Sequence, residues 1–267
     1  MQDEKLNSTI DLRLGDCLEV MSTIEDNSID AIITDPPYGT TQCKWDSVIP
    51  FQPMWEQLNR IIKPNGAIVL FASQPFTSAL IMSNPKMYRQ CLVWEKTRPT
   101  NVMNAKKMFM KWHEDIIIFY KKLPSFNPIM HSDGVFTGKK IQRSNTDRSK
   151  GTLGNTGEKK DYIHEGNGGL FYPKSIHKYS NVQTPNLHPT QKPVLLMEYL
   201  IKTYTNEGET VLDFTMGSGT TMIACNNLNR NGIGIEKDET YFNIAQDRIE
   251  KSKRQKLEEF NFNEATT

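Results

Sequence analysis

The tetrapeptide Asp35-Pro36-Pro37-Tyr38 follows the apolar run of residues 29–34. A carboxylate is thereby set at the carboxyl end of a buried strand, where open α/β sheets bind their ligands. The paired prolines remove two backbone donors and fix φ, leaving the Pro36 carbonyl free to accept a hydrogen bond beside the Asp35 carboxylate. Two adjacent acceptors followed by the aromatic face of Tyr38 suit a planar ring that carries an exocyclic amino group. Asp-Pro and Pro-Pro also punctuate ordinary strand-to-loop turns; Tyr38-Gly39 directly after a buried strand tips the reading toward binding.

A second stretch, Val211-Leu212-Asp213-Phe214-Thr215-Met216-Gly217-Ser218-Gly219-Thr220-Thr221, reads as a strand, a small-residue turn and the start of a helix. Glycines in such a turn let backbone approach a ligand closely. No Lys stands between Gly219 and the Thr pair, which excludes a Walker A loop, and Met222 stands where a dinucleotide fingerprint has its third Gly. Gly232-Ile233-Gly234-Ile235-Glu236 is a further strand ending in an acid, about 20 residues downstream, where a carboxylate reaches ribose hydroxyls. A nucleoside-containing ligand follows. Cys17, Cys43, Cys91 and Cys225 form no CxxC pair, so they are read as reduced thiols, and no metal site is expected.

These residues need a scaffold. Short β-rich runs at 10–14, 29–34, 67–72, 91–94, 115–120, 210–214 and 232–236 alternate with helical patterns at 51–62, 194–204, 219–229 and 239–250. That alternation argues for a doubly wound α/β fold, a mostly parallel sheet covered on both faces. Lys63-Pro64-Asn65-Gly66 stops the first of those helices. From Lys251 the charged tail is expected to fray.

Between residues 121 and 187 the pattern collapses into Gly, Asn, Ser, Thr and Lys. This stretch holds eleven basic residues, Lys139, Lys140 and Arg143 among them, against five acidic ones. The whole chain of 267 residues nevertheless carries a formal charge of only +1. The excess is what a polyanion-binding insert requires, although a solvated loop would look similar. With 24% charged and 9% aromatic residues, the composition is that of a soluble globular chain rather than a collagen, coiled coil or disordered tail. Residues 1–7 are polar, without the apolar region of a secretory signal, and no apolar run approaches the ~20 residues of a membrane span. A cytoplasmic protein is expected.

In their order, these motifs resemble the amino-group DNA methyltransferases of the β arrangement, in which the catalytic motif precedes the S-adenosylmethionine motif. The resemblance rests on Leu14-Gly15-Asp16, Asp35 to Tyr38, Lys63 to Gly66, the 115–120 strand, His188-Pro189-Thr190-Gln191-Lys192-Pro193 and the Gly217 turn. One departure is Asp213-Phe214-Thr215, where the family usually has Asp-Pro-Phe. The resemblance implies a seven-stranded Rossmann-like sheet whose last two strands lie at its middle. It divides the chain into a catalytic half (1–120), an inserted target-recognition region (121–187) and a cofactor half (188–267).

Asp35, Pro36, Pro37 and Tyr38 would then act on a flipped-out adenine in duplex DNA, with Tyr38 as stacking platform. Asp16 would meet the cofactor adenine, Glu236 the ribose, and Asp213, Phe214, Gly217, Ser218, Gly219, Thr220 and Thr221 the remainder of S-adenosylmethionine, with Thr190 and Lys192 on its methionine side. Lys139, Lys140 and Arg143 would contact DNA. A homodimer and a separately encoded restriction endonuclease are compatible partners. Cytosine N4 methylation is the nearest alternative; in the family a first-position Asp leans toward adenine and Ser toward cytosine. A NAD-dependent oxidoreductase would leave Asp35 unexplained, and a non-catalytic DNA-binding module would leave both motifs unexplained. Helix capping is the plain alternative for Asp16 and Asp213, and Pro193 could simply open a helix.

Overall fold

The computed structural model describes residues 8–40, 46–132, 170–181 and 191–266, with side chains up to 258. Its strands are β1 (Ile10–Leu14), β2 (Ile29–Thr34), β3 (Ile62–Ala72), β4 (Tyr88–Thr100), β5 (Lys111–Phe119), β6 (His131–Ser132), β7 (Leu170–Phe171), β8 (Ile176–Tyr179), β9 (Thr210–Asp213) and β10 (Asn231–Glu236). Its helices are α1 (Cys17–Met21), α2 (Phe51–Ile61), α3 (Phe76–Ser83), α4 (Val194–Tyr204), α5 (Thr220–Asn227) and α6 (Glu239–Thr266). The chain divides into two compact units. One joins residues up to Asn127 with those from Lys174 onward, and the other is Pro128–Pro173. The smaller unit contains the antiparallel pair β6 and β7, with His131 opposite Phe171.

The larger unit is built on a sheet in the order β1-β10-β9-β2-β3-β5-β4-β8. Only β5 runs against its neighbours, antiparallel to both β3 and β4. Period-2 alternation in the central strands separates two cores. Ala31, Ile33, Val69, Phe71, Ile116 and Ile118 face one side, where α4, α5 and α6 add Leu200, Met222 and Ala245. Ile32, Ile68, Leu70, Ile117 and Phe119 face the other, under Met21 of α1, Leu58 of α2 and Leu80 of α3. Both faces are covered, as the continuous apolar runs of these strands require.

The doubly wound α/β class stands, with refinements. Among the described residues the main sheet has eight strands rather than seven, because β8 pairs in parallel with β4, Val93 opposite Ile176. The last two strands, β9 and β10, are interior but off-centre, second and third from the β1 edge. Helix α2 stops at Ile61, where Ile62 turns to extended backbone (ψ 134°); the next residue, Lys63, precedes Pro64 and is itself steered out of the α region. Pro193 is the N-cap of α4, not its first helical residue. Helix α6 runs on to Thr266, where a frayed tail was expected: the straight-chain Lys, Arg, Gln and Glu after residue 250 are good helix formers, and Lys253 pairs with Glu250 at 3.1 Å. No helix among the described residues is long and apolar enough to cross a membrane.

Candidate active site

The carboxyl ends of β1, β2, β9 and β10 open into a cavity of about 460 Å³, within the range of a small-molecule site. Asp35, Pro36, Pro37 and Tyr38 line it from the end of β2. Asp213, Phe214, Gly217, Ser218, Thr220 and Thr221 line it from β9 and the following turn, with Asp16, Glu236 and Lys192 from other elements. Two motifs that lie far apart in sequence thus meet, because β2 pairs directly with β9, Ala31 opposite Val211.

Asp35 anchors a buried charge network. One carboxylate oxygen accepts the Tyr38 hydroxyl hydrogen and the other is ion-paired with the Lys192 ammonium. Lys192 also lies 3.2 Å from Glu114 of β5, and the other Glu114 oxygen is paired with Lys96 of β4. Two ammonium groups therefore face two carboxylates away from water, and the Lys192 Nζ sits 5.1 Å from the centre of the Phe71 ring. Burial pushes the Asp35 carboxyl up; Lys192 opposes that and Glu114 reinforces it. Burial also acts on Glu114, but Lys192 and Lys96 together outweigh it and hold that carboxyl down at about 2. The environments drive the two acids apart, so Glu114 stays ionised and Asp35 is the one able to take a proton. Burial, with Asp35 close by, raises Tyr38 well above its usual value and keeps its hydroxyl a donor. The Tyr38 ring also stacks on Phe76 with centroids 5.2 Å apart.

Asp213 ties the two motifs together. Its carboxylate accepts the Thr34 hydroxyl at 2.6 Å, the Thr215 N–H at 3.2 Å and the Thr221 hydroxyl. Thr34 and Thr215 hydroxyls are 2.7 Å apart, and Thr215 donates to the Asp35 carbonyl at 3.1 Å. Four hydroxyl contacts thus share three hydroxyl hydrogens. Burial pushes the Asp213 carboxyl up to about 6, and below that pH a proton on it would supply the fourth. Asp213 lines the cavity, as expected of a ligand contact, and at the same time braces the two motifs.

Glu236 accepts the backbone N–H of Gly217 at 2.9 Å on one oxygen, and those of Lys237 and Asp238 on the other. Burial raises its carboxyl. A carboxylate offers about four acceptor positions, so the oxygen shared with Gly217 keeps capacity toward the cavity. Asp16 is the N-cap of α1, accepting from the Leu18 N–H at 3.0 Å, and is met by Lys237 at 3.1 Å. Capping does not remove it from the cavity wall. Burial alone would raise its carboxyl, but Lys237 and the Leu18 N–H outweigh burial and lower it.

Gly217 (φ 53°) and Gly219 (φ 78°) both adopt left-handed backbone, which glycine enters without steric cost. Gly219, the N-cap of α5, does not line the cavity. A Cβ there would meet Ala245 of α6 at 2.9 Å, so Gly219 serves helix packing where close approach to a ligand was expected. Arg248 of α6 clamps the turn, donating to the Ser218 carbonyl and to the Ser218 hydroxyl at 2.8 Å. Lys192, expected on the methionine side, lines the cavity and is paired with Asp35. Thr190, Lys139, Lys140 and Arg143 lie outside the described residues. Glu114, Lys96, Thr215 and Arg248 were not singled out from sequence. They are lone polar residues within otherwise ordinary strand, turn and helix patterns.

A Rossmann-like sheet with a crevice at its carboxyl edge and a buried carboxylate on the crevice wall is the arrangement expected of a transferase-type site. A family model described as DNA methylase matches residues 29–247, and the chain belongs to that family, the N6 and N4 amino-methylating DNA methyltransferases of the β arrangement. It is similar to the type II methyltransferase M.HpaI of Haemophilus parainfluenzae, 30% identical over 249 residues that cover 88% of this chain and 73% of the relative. Among solved structures, the M1.HpyAVI–SAM complex is 27% identical over 90% of this chain and all of that one, with a TM-score of 0.59. The cytosine-N4-specific PvuII DNA methyltransferase shares the fold, with a TM-score of 0.62 at 16% identity, covering 93% of each chain.

Proposed function

We propose that this protein is a type II DNA methyltransferase that transfers a methyl group from S-adenosylmethionine to the N6 amine of an adenine flipped out of duplex DNA. DNA methyl transfer from S-adenosylmethionine is the activity of its family; adenine is our assignment. The observation that carries the reading is the Asp35 carboxylate on the wall of the same cavity as Glu236 and the Gly217 turn.

The residues fit the cofactor. Glu236 keeps acceptor capacity for ribose hydroxyls, Asp16 lines the wall beside it, and the left-handed Gly217 turn braced by Arg248 shapes the floor. When bound, S-adenosylmethionine supplies an electrophilic methyl group. All else falls to the chain. An exocyclic adenine amine is a weak nucleophile because its lone pair is delocalised into the ring. Asp35 uses one acceptor position for Tyr38 and one for Lys192, so about two of its four remain. One of these and the Pro36 carbonyl take the two amine hydrogens and turn the lone pair out of conjugation. This is orientation combined with electrostatic preorganisation. Once the nitrogen has been alkylated it is acidic, and Asp35, the carboxyl raised by burial, accepts the proton. The base must leave the stack to reach the cavity, at a cost of a few kcal/mol, and Tyr38, backed by Phe76, supplies an aromatic wall. The basic stretch 121–187, with Lys139, Lys140 and Arg143, is assigned to DNA recognition, and residues 1–120 and 188–267 to the two halves of one methyltransferase domain. A separately encoded endonuclease and a homodimer complete the proposed partnership.

Modification-sensitive sequencing of DNA from a host expressing the wild type and Asp35→Ala tests this. N6-methyladenine at one short sequence, lost in Asp35→Ala while S-adenosylmethionine still binds, is expected. N4-methylcytosine would move the assignment to cytosine, and near wild-type turnover by Asp35→Ala would remove the catalytic role.

A further inference from the structure

The hairpin joining β4 to β5 ends in a tip that neither core explains. Met103 is 97% and Phe109 99% exposed, and Val102, Met108 and Trp112 are exposed beside them. The tip is nonetheless ordered. Asn101 sits in left-handed backbone (φ 67°) and accepts a side-chain hydrogen bond from Asn104 at 2.6 Å, while the N–H groups of Lys107 and Met108 donate to the Asn104 carbonyl at 2.8 and 3.0 Å. An ordered loop that holds large apolar side chains in water marks a binding surface.

Position and charge say what it binds. Asp115 of β5 pairs with Ala72 at the carboxyl end of β3, the end at which Asp35 follows β2. From Asp115 back to Lys111 the strand continues four residues past that level, roughly 13 Å, so the tip stands on the catalytic side. Its root is Glu114, the residue that holds Lys192 against Asp35. From Lys96 to Trp112 there are five cations, Lys96, Arg98, Lys106, Lys107 and Lys111, and no acid.

We infer that the β4–β5 hairpin is a wedge for duplex DNA: Met103 and Phe109 enter the space left by the flipped base, and Lys106 and Lys107 hold the flanking phosphates. Inserted apolar side chains offset unstacking, and lysines beside them supply the sequence-independent grip. The wedge rests on the proposed methyl transfer to DNA and adds a second contact surface to the 121–187 stretch.

The test uses the full-length protein and a duplex of the sequence that it modifies, carrying 2-aminopurine at the target position. For the double variant Met103→Ala/Phe109→Ala the fluorescence rise on binding is expected to fall at least fivefold. Turnover on the matched duplex is expected to fall 10- to 100-fold, recovering to within about threefold of wild type when the target base faces a mismatch. S-adenosylmethionine affinity should not change. Lys106→Gln/Lys107→Gln should flatten the slope of log affinity against log salt by about 1.8. Wild-type fluorescence and turnover in the apolar double variant overturn the wedge, as does a change of oligomeric state in its place. If the wild type itself methylates no DNA, the proposed function is what fails.

Discussion

Replacing Lys192 with Met removes the cation that lies against both Asp35 and Glu114. The two carboxylates are then left in a buried site with Lys96, which touches only Glu114, and Asp35 loses its charge partner. At the 3.2 Å separation of Lys192 from Glu114, a unit pair in a medium of effective dielectric 20 interacts by about 5 kcal/mol. Because burying the ammonium already costs part of that, breaking the pair costs about 3–5 kcal/mol net. Lys192 is the group that holds the Asp35 carboxyl down against burial and Glu114, so its removal moves the acid dissociation of Asp35 up. The amine acceptor is the ionised form, so a higher value means less active enzyme at a given pH. The acid limb of the kcat/KM–pH profile should therefore move toward alkali in Lys192→Met, with turnover recovering to within about tenfold of wild type at the alkaline end. Lys192→Arg keeps the charge and should keep the limb within about half a unit. With total stabilities of about 5–15 kcal/mol for folded proteins, Lys192→Met should remain folded, which circular dichroism checks. A profile superimposable on the wild type refutes the argument. So does a pH-independent loss accompanied by weak S-adenosylmethionine binding, which would place Lys192 on the methionine side.

Two further predictions concern stability. Burial lifts Asp213 from 3.8 to about 6, so the folded protein retains a proton there that the unfolded chain releases. This contribution is complete below about pH 4 and is lost as pH climbs through 6, a change of roughly 3 kcal/mol. Asp213→Asn, whose amide can donate as the protonated acid does, should flatten the fall of Tm between pH 4 and 6.5 and be the more stable chain at pH 7; equal slopes would refute the shared-proton network. Gly219→Val sets a branched side chain in left-handed backbone with its Cβ 2.9 Å from Ala245, and should lower unfolding free energy by at least ~2 kcal/mol in a denaturant titration. An unchanged midpoint would mean that α5 and α6 can part at no cost.

Most of the sheet was legible because its strands bury both faces, and continuous Ile, Val and Ala runs announce that. Strand β8 was not legible. Its Ile176 stays 57% exposed, and its pairing comes from β4, some eighty positions away, including a Trp94 indole bond to the Tyr179 carbonyl at 3.0 Å. Helix α1 was hidden by its length of five residues, too short for periodicity. At the site, the Asp35 and Gly217 motifs could be read because turns demand particular residue types. The ion network could not: Lys96 and Glu114 are single charges in strands, and only tertiary pairing makes them partners. Asp16 and Asp213 show the opposite limit, since sequence order places them at the cavity but not where their oxygens point.

The position of β1 has a consequence for how the molecule comes into being. Among the described residues β1 pairs only with β10, and the Thr9 N–H finds its acceptor on Asn231, 222 positions later. During synthesis β2, β3, β5 and β4 can associate as they emerge, whereas β1 waits through nearly the whole of translation. Such distant pairing slows folding, because loop closure must precede any reward. A chain that stops short of β10 leaves an exposed β1 edge open to neighbouring chains. It also lacks Glu236, so an incomplete chain displays the Asp35 motif without one wall of the pocket that serves it.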